Sequence, residues 1–331
     1  MKYFKSLVLV GLWLLTLSSF SQADEFTRGV YPATPPSAFT LYSFDPELMG
    51  AWNTPLFDYE KRFIPEKHQK LPILGGWYGQ GFVPDREMLM ASGLKKAFLL
   101  ENSFFNTERI RGTLKDVGME LLTAPSAIEA LPLCFRTMGQ IFNRQERGEE
   151  LGSFAEKVLN SLKPLAAIPE AQKPRVYLAM DADGLATSCS GESRSTFILL
   201  AGGRNAMLCS DAVQAGRPRI SFEEIMALDP DVILAESYPL KQIIDQEERW
   251  KKLRAARLGR VYLVPRGPFS WNGHPSLTSL MGARWLANLL YPDMYPLDVI
   301  AATKEFNRLF FRLDFSDQMA RELLDPSLAT K

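Results

Sequence analysis

The stretch that most restricts the fold is NRQERGEELGSFAEKVLNSLKPLAAI, residues 143–168. It has helical periodicity and no strand signal, in a chain that elsewhere alternates strand and helix. Its apolar residues Leu151, Phe154, Ala155, Val158, Leu159 and Leu162 recur at helical spacing, and the other face is charged. The spacing predicts one long helix that stops near Pro164, where the ring removes a backbone donor. A chain built this way has two α/β halves with one helix between them.

The first half reads as βα units. AFTLYSF (38–44) alternates and predicts a first strand. LPILGGWYGQGFVP (71–84) is a short apolar run that ends in a Gly-rich loop. DREMLMASGL reads as a short helix and KKAFLLE as the strand after it. TERIRGTLKDVGMELLTAP reads as helix, turn and strand. The second half resumes after Pro174. RVYLAM, DVILAES and RVYLVP are strands. TFILLAGG, SFEEIMALDP (with Ser221 as N-cap), PSLTSLMGARWLANLLYP (with Pro275 in its first turn) and DVIAATKEFNRLFFRL are helices. The two halves also resemble each other locally. DREMLMASGLKKAFLLEN parallels SFEEIMALDPDVILAESY, so that Glu87 matches Glu223 and Met90 matches Met226. Alternating βα units imply mainly parallel sheets, with ligand crevices at the C-terminal ends of the strands.

The start of the chain has the pattern of a secretion signal. Lys2 and Lys5 precede the apolar run Leu7 to Leu17, and Ser21-Gln22-Ala23 offers small residues for cleavage. Residues 1–23 are therefore expected to be removed, with no lipid anchor. Lys plus Arg and Asp plus Glu both number 38, giving a net charge of zero, which disfavours nucleic-acid or acidic-membrane partners. An exported chain can form disulfides. Cys189 and Cys209 lie close enough in sequence to pair and leave Cys134 free, or all three can be buried thiols.

Chemistry-bearing motifs are few. G-x-S-x-G, H-E-x-x-H and P-loop patterns are absent, and GGWYGQG lacks the G-x-G-x-x-G spacing, so an enzyme is not expected. There are two histidines. His68 stands in the charged stretch PEKHQK and is expected to face solvent. His274, in PFSWNGHPS between a strand and a helix, is the remaining imidazole. A bare transition metal wants several such ligands, so His274 can at most complete the coordination of a metal that arrives chelated.

DGLATSCSGESRSTFILLAGGRNA, ISFEEIMALDPDVILAES and PFSWNGHPSLTSLMGARWLANLLYP, in this order, resemble class III periplasmic solute-binding proteins of ABC importers. LYSFDPELMGAWN and LPILGGWYGQG carry the resemblance into the first half. It implies an α/β fold of two Rossmann-like lobes with mainly parallel sheets, joined by one long bridging helix, with the ligand cleft between them. The implied bounds are 24–143 for the first lobe, 144–168 for the bridging helix and 169–331 for the second lobe with its C-terminal helix. The implied role is capture of a metal chelate, of iron-siderophore or cobalamin type, in the periplasm of a Gram-negative cell and delivery to the permease. A nickel or cobalt complex, or an oxyanion such as molybdate, is the alternative ligand. An exported enzyme or a sensor is the alternative function. No cofactor is implied, and the protein is expected to be a monomer. Two departures stand out. SGLKKAFLL replaces the family's usual Pro-Asp before the strand. Ser193-Arg194-Ser195 stands where metal-binding relatives often carry histidine.

Strand ends facing the implied cleft supply the candidate ligand contacts. They are Trp52, Trp77, Tyr78, Gln80 and Glu101 (with Asn102) from the first lobe, and Arg194, Glu236, Tyr238, Arg266, Trp271 and His274 from the second. Aromatic rings with a few polar groups suit a large, partly apolar ligand, and arginine suits its anionic groups. Arg194 also lies near a helix start, where the dipole favours anions. Tryptophans of this kind can equally be core residues, and the glutamates can cap neighbouring helices. The resemblance gives Glu87 and Glu223 a separate role, one on each lobe, in contacting arginines of the permease.

Overall fold

The computed structural model describes residues 29–78, 82–101, 106–190, 192, 194–209, 218–273 and 277–328. The expected signal segment 1–23, Gln80, Asn102, Ser193, His274 and Pro275 lie outside the described residues.

Two parallel sheets form the frame. The first has the order β1 (Tyr31–Pro32), β2 (Lys96–Glu101), β3 (Glu120–Pro125). Parallel bridges Val30–Met49 and Trp52–Ile73 continue it beyond β1. The second contains β4 (Arg175–Ala179), β5 (Arg204–Asn205), β6 (Val232–Ala235) and β7 (Val261–Leu263) in the order β5-β4-β6-β7, all parallel. Both faces of each sheet are covered, so the strands read as continuous apolar runs. Side chains still divide with the pleat. Phe98 and Leu100 enter one core while Ala97 and Leu99 enter another on the opposite face. Likewise Leu178 and Leu234 face the first core, and Tyr177 and Ile233 a third. The first core is shared: it runs from Val30 through the helix Gln145–Ala166 to Leu323.

That helix continues two residues beyond Pro164. It packs closely on the helix Leu131–Ile141, because glycines face each other. A methyl group on Gly148 would sit 2.7 Å from the Phe135 carbonyl oxygen and 2.9 Å from Gly139 Cα. At its other end Leu165 meets Gly202, which has φ +75° just after the helix Thr196–Leu200. Arg147 ties the assembly. Its guanidinium donates to the carbonyls of Ser43 (3.2 Å), Phe44 (3.1 Å) and Leu309 (2.6 Å), which belong to segments far apart in sequence.

Two expectations are corrected here. AFTLYSF is not a strand but most of the helix Pro35–Phe44. Thr34 caps it, accepting from Ser37 N, and Pro35 and Pro36 start it. Seven of its ten residues are buried and none is exposed, so it lacks the polar face whose periodicity marks a helix. His68 is not solvent-facing but 6 % exposed. The short helix Glu66–Gln69 turns it inward, edge-on to Tyr42 with ring centroids 5.6 Å apart. Its Nε2 lies 3.4 Å from Glu47 Oε1, and burial lowers its pKa. The helix DREMLMASGL spans Arg86–Ala91, and SFEEIMALDP spans Phe222–Leu228, capped by Asp85 and Ser221. Among the described residues no helix is long and apolar enough to cross a membrane.

Candidate functional site

The C-terminal edges of the two sheets place the predicted residues. In the first lobe, the segments after Trp52 and after Ile73 leave neighbouring strand ends, because these two residues are bridged. Glu101 ends β2 and is exposed. Tyr78 stacks on Phe82, with ring centroids 4.6 Å apart and an interplanar angle of 13°. Phe82 is 58 % exposed.

In the second lobe, Glu236 follows β6 and its backbone N–H donates to Ala179 O at 3.0 Å. Arg194 Nη1 lies 3.6 Å from Glu236 Oε1. The two therefore form one charged unit that joins two loops. Ser237 caps the helix Tyr238–Gln246, and half-buried Tyr238 is its first residue. The loop bearing Arg194 is held from several sides. Asn205 Nδ2 donates to Ser188 O (2.8 Å), Ser190 N to Met207 O (2.9 Å) and Ser195 Oγ to Cys189 O (2.7 Å). The Cys189–Cys209 disulfide adds a covalent tie, which leaves Cys134 as a buried thiol whose pKa burial raises to about 12. The helix beyond Arg194 is only Thr196–Leu200, so the dipole expected to aid anion binding is small beside the charge of Arg194 itself.

The tryptophans resolve toward packing. Trp52 is 2 % exposed, and its Nε1 donates to the His68 carbonyl at 2.7 Å. Trp77 is buried against Tyr31, and Trp271 is fully buried against Trp285. Among the described residues, Trp271 Nε1, Asn272 Nδ2 and Arg266 Nε are buried donors with no hydrogen-bond partner.

The structure adds residues that the sequence reading missed. Arg266, just beyond β7, crosses to the first lobe and places Cζ 5.5 Å from the centroid of the Tyr59 ring. Such a contact is a cation–π pair. Next to it Glu60 is 4 % exposed. Its carboxylate accepts from Phe57 N at 2.8 Å and from the Tyr59 hydroxyl at 3.4 Å. Burial pushes its pKa up to about 6, against the opposing pull of these donors and of Arg266. Burial, with Glu60 beside it, raises Tyr59 to about 12. Phe57 stacks on Tyr59 at 5.5 Å and 10° and is 62 % exposed. Two residues on from Gly267, Phe269 stacks on Phe39 at 4.2 Å and meets Tyr42 edge-on. The Phe57, Tyr59 and Glu60 contacts are local to LFDYEKRF, but nothing in that stretch announces Arg266, which comes from the other lobe. Among the described residues no group of three or more His, Cys, Asp or Glu is placed to hold a metal ion.

Glu87 and Glu223 occupy matching places. Each is the second residue of its helix, Arg86–Ala91 or Phe222–Leu228, and each is exposed. Met90 and Met226 are exposed on the same two helices.

The family model described as periplasmic binding protein matches residues 121–267. An ABC transporter solute binding protein from Sulfurospirillum deleyianum DSM 6946 is 29 % identical, with a TM-score of 0.83 over 90 % of this chain and 94 % of that one. A periplasmic solute binding protein from Veillonella parvula DSM 2008 is 18 % identical, with a TM-score of 0.73 over 92 % of this chain and 93 % of the other, and so shares the fold. The molybdate-binding protein MolA of Haemophilus influenzae is 27 % identical over 192 residues, 56 % of this chain. The chain spans about half the length of that relative, 52 %.

Proposed function

We propose, from the premise that the chain belongs to the periplasmic binding proteins of class III, that it is the substrate-binding component of an ABC importer. It captures a metal chelate between its lobes and delivers it to the permease. The observation that carries this reading is the meeting of two strand-end edges. One supplies stacked aromatic pairs (Phe57–Tyr59, Tyr78–Phe82), the other arginines (Arg194, Arg266). Such a cleft suits a ligand with an apolar body and anionic oxygens. Of the sequence candidates, Tyr78, Glu101, Arg194, Glu236, Tyr238 and Arg266 are the contacts this reading keeps at the cleft; Gln80 and His274, outside the described residues, belong to the same proposal. Trp52, Trp77 and Trp271 act beneath it as packing. The division at 24–143, 144–168 and 169–331, the cleavable signal 1–23, the siderophore or cobalamin type of cargo and a monomeric state belong to the same proposal.

An oxyanion such as molybdate is the second reading. Arg194 and the likeness to a molybdate-binding protein favour it. Titration of tryptophan fluorescence with ferric siderophores, cobalamin, haem, nickel-histidine and molybdate should show one dominant quencher, and a response to none would refute the cleft. Glu87 and Glu223 serve as the permease contacts. The double reversal Glu87→Lys with Glu223→Lys should abolish uptake and leave ligand affinity unchanged. Loss of ligand binding in the purified variant would refute that role.

A further inference from the structure

We infer that Met90 and Met226, together with Glu87 and Glu223, form two matched contact points for a partner that shows the same face twice, each face a cation beside an apolar socket. The inference rests on the importer reading, which assigns the glutamates alone. It adds the apolar half of the contact and the symmetry of the partner.

The two helices match residue for residue. Glu87, Leu89 and Met90 in Arg86–Ala91 stand in the register of Glu223, Ile225 and Met226 in Phe222–Leu228. Leu89 and Ile225 are fully buried and anchor each helix. One residue further on, Met90 is 62 % and Met226 45 % exposed. Singly exposed apolar residues are ordinary. Here the same exposed thioether recurs three residues after the same exposed acid on both lobes, and residues three apart are neighbours on a helix surface.

Neither glutamate has a task within its own helix, because other acids fill the caps. Asp85 accepts from Glu87 N at 2.8 Å and from Met88 N at 3.0 Å. Glu224 closes the capping box by accepting from Ser221 N at 2.7 Å. Arg86, beside Glu87, is paired with Asp116 at 2.9 Å. Among the described residues, the side chains of Glu87 and Glu223 have no ion-pair or hydrogen-bond partner. An open acid next to an open methionine calls for a partner with a cation next to an apolar hollow. Protein interfaces are enriched in methionine and arginine, and a flexible thioether fills an irregular socket. A second copy of this chain would set acid against acid on this surface, which repels. An anionic membrane surface would repel it likewise. A homodimeric permease meets the requirement, since two identical subunits present one patch twice.

Methionine oxidation reads both points at once, because sulfoxide formation follows exposure. The purified protein, alone and with the permease in lipid nanodiscs, is treated with dilute hydrogen peroxide, and each methionine is followed by mass spectrometry. Met294 and Met319, exposed elsewhere, are the controls. The permease should slow oxidation of Met90 and Met226 at least about fivefold and leave both controls unchanged. Met90→Ser with Met226→Ser should weaken the complex about tenfold in about 50 mM and about 500 mM salt alike, whereas Glu87→Gln with Glu223→Gln should weaken it at the lower salt only. All four side chains are exposed, and a thermal melt checks that each variant is folded. If the permease binds while Met90 and Met226 oxidise at their free rates, or if the serine variant binds like wild type, the apolar contact is overturned and the importer reading stands. Protection of only one of the two methionines overturns the symmetric partner. Protection that grows with protein concentration and needs no permease makes a second copy the occupant and overturns the assignment. Wild-type protein that binds no permease overturns the importer reading and this inference with it.

Discussion

Glu60→Gln should stabilise the protein at neutral pH and not at acid pH. Glu60 is 4 % exposed and its pKa stands at about 6 rather than 4.5, chiefly because burial penalises the charged form. An elevation of that size corresponds to about 2 kcal/mol of preference for the protonated carboxyl in the folded state. The sign follows from linkage. The folded pKa lies above the unfolded one, so the contribution is complete below about pH 4.5 and is lost as pH rises through about 6. Glutamine keeps the shape and the acceptor for Phe57 N, bonded at 2.8 Å, but never ionises. The advantage of the variant should therefore grow by about 2 kcal/mol between pH 4.5 and 7.5. With a denaturant slope of about 3 kcal/mol/M, the urea midpoint of the variant should gain roughly 0.7 M on the wild type over that interval. Tryptophan fluorescence reports the midpoint, and comparing the two proteins at each pH cancels the other titrating groups. A difference that does not change with pH would refute the dominance of burial. A variant that loses ground as pH rises would show that attraction to Arg266 outweighs it.

Three further outcomes follow from other contacts. Arg147→Met removes donors to Ser43, Phe44 and Leu309 and should cost about 3 kcal/mol by urea denaturation; a loss below about 1 kcal/mol would mean that water replaces those bonds freely. Reduction of Cys189–Cys209, or the double change to serine, opens a loop of sequence separation 20 and should cost about 3 kcal/mol while weakening ligand affinity through the Arg194 loop. Unchanged affinity in the reduced protein would separate that loop from the site. Gly148→Ala puts a methyl group 2.7 Å from the Phe135 carbonyl oxygen, so the helix pair must part, at about 2 kcal/mol; a melting temperature equal to wild type would contradict the close crossing.

Much of the fold was legible because strand and helix patterns are written in short windows. KKAFLLE, RVYLAM, DVILAES and RVYLVP are the parallel strands β2, β4, β6 and β7, and the periodic stretch after Arg144 is the helix Gln145–Ala166. The helix Pro35–Phe44 escaped this logic because it is buried on almost every side. Its best local clue was Thr34 followed by two prolines, a capped start rather than a periodicity. His68 escaped because charged neighbours say nothing about the one residue a short helix turns inward.

The site divided along the same line. By itself the sequence determined which segments leave the C-terminal ends of strands, and so that Glu236 and Arg266 stand at such an edge. It determined that two short helices carry matching glutamates at Glu87 and Glu223. Only the tertiary structure decided which side chains at that edge are open. Trp52, Trp77 and Trp271, conspicuous in the sequence, are buried, while inconspicuous Phe57 is exposed and stacks on half-buried Tyr59, which Arg266 meets. The physical reason is that local preference acts over a few residues of one chain segment. Burial and charge pairing instead depend on which distant segment packs alongside, and Arg266 meets Tyr59 only after two sheets and a helix between them have assembled.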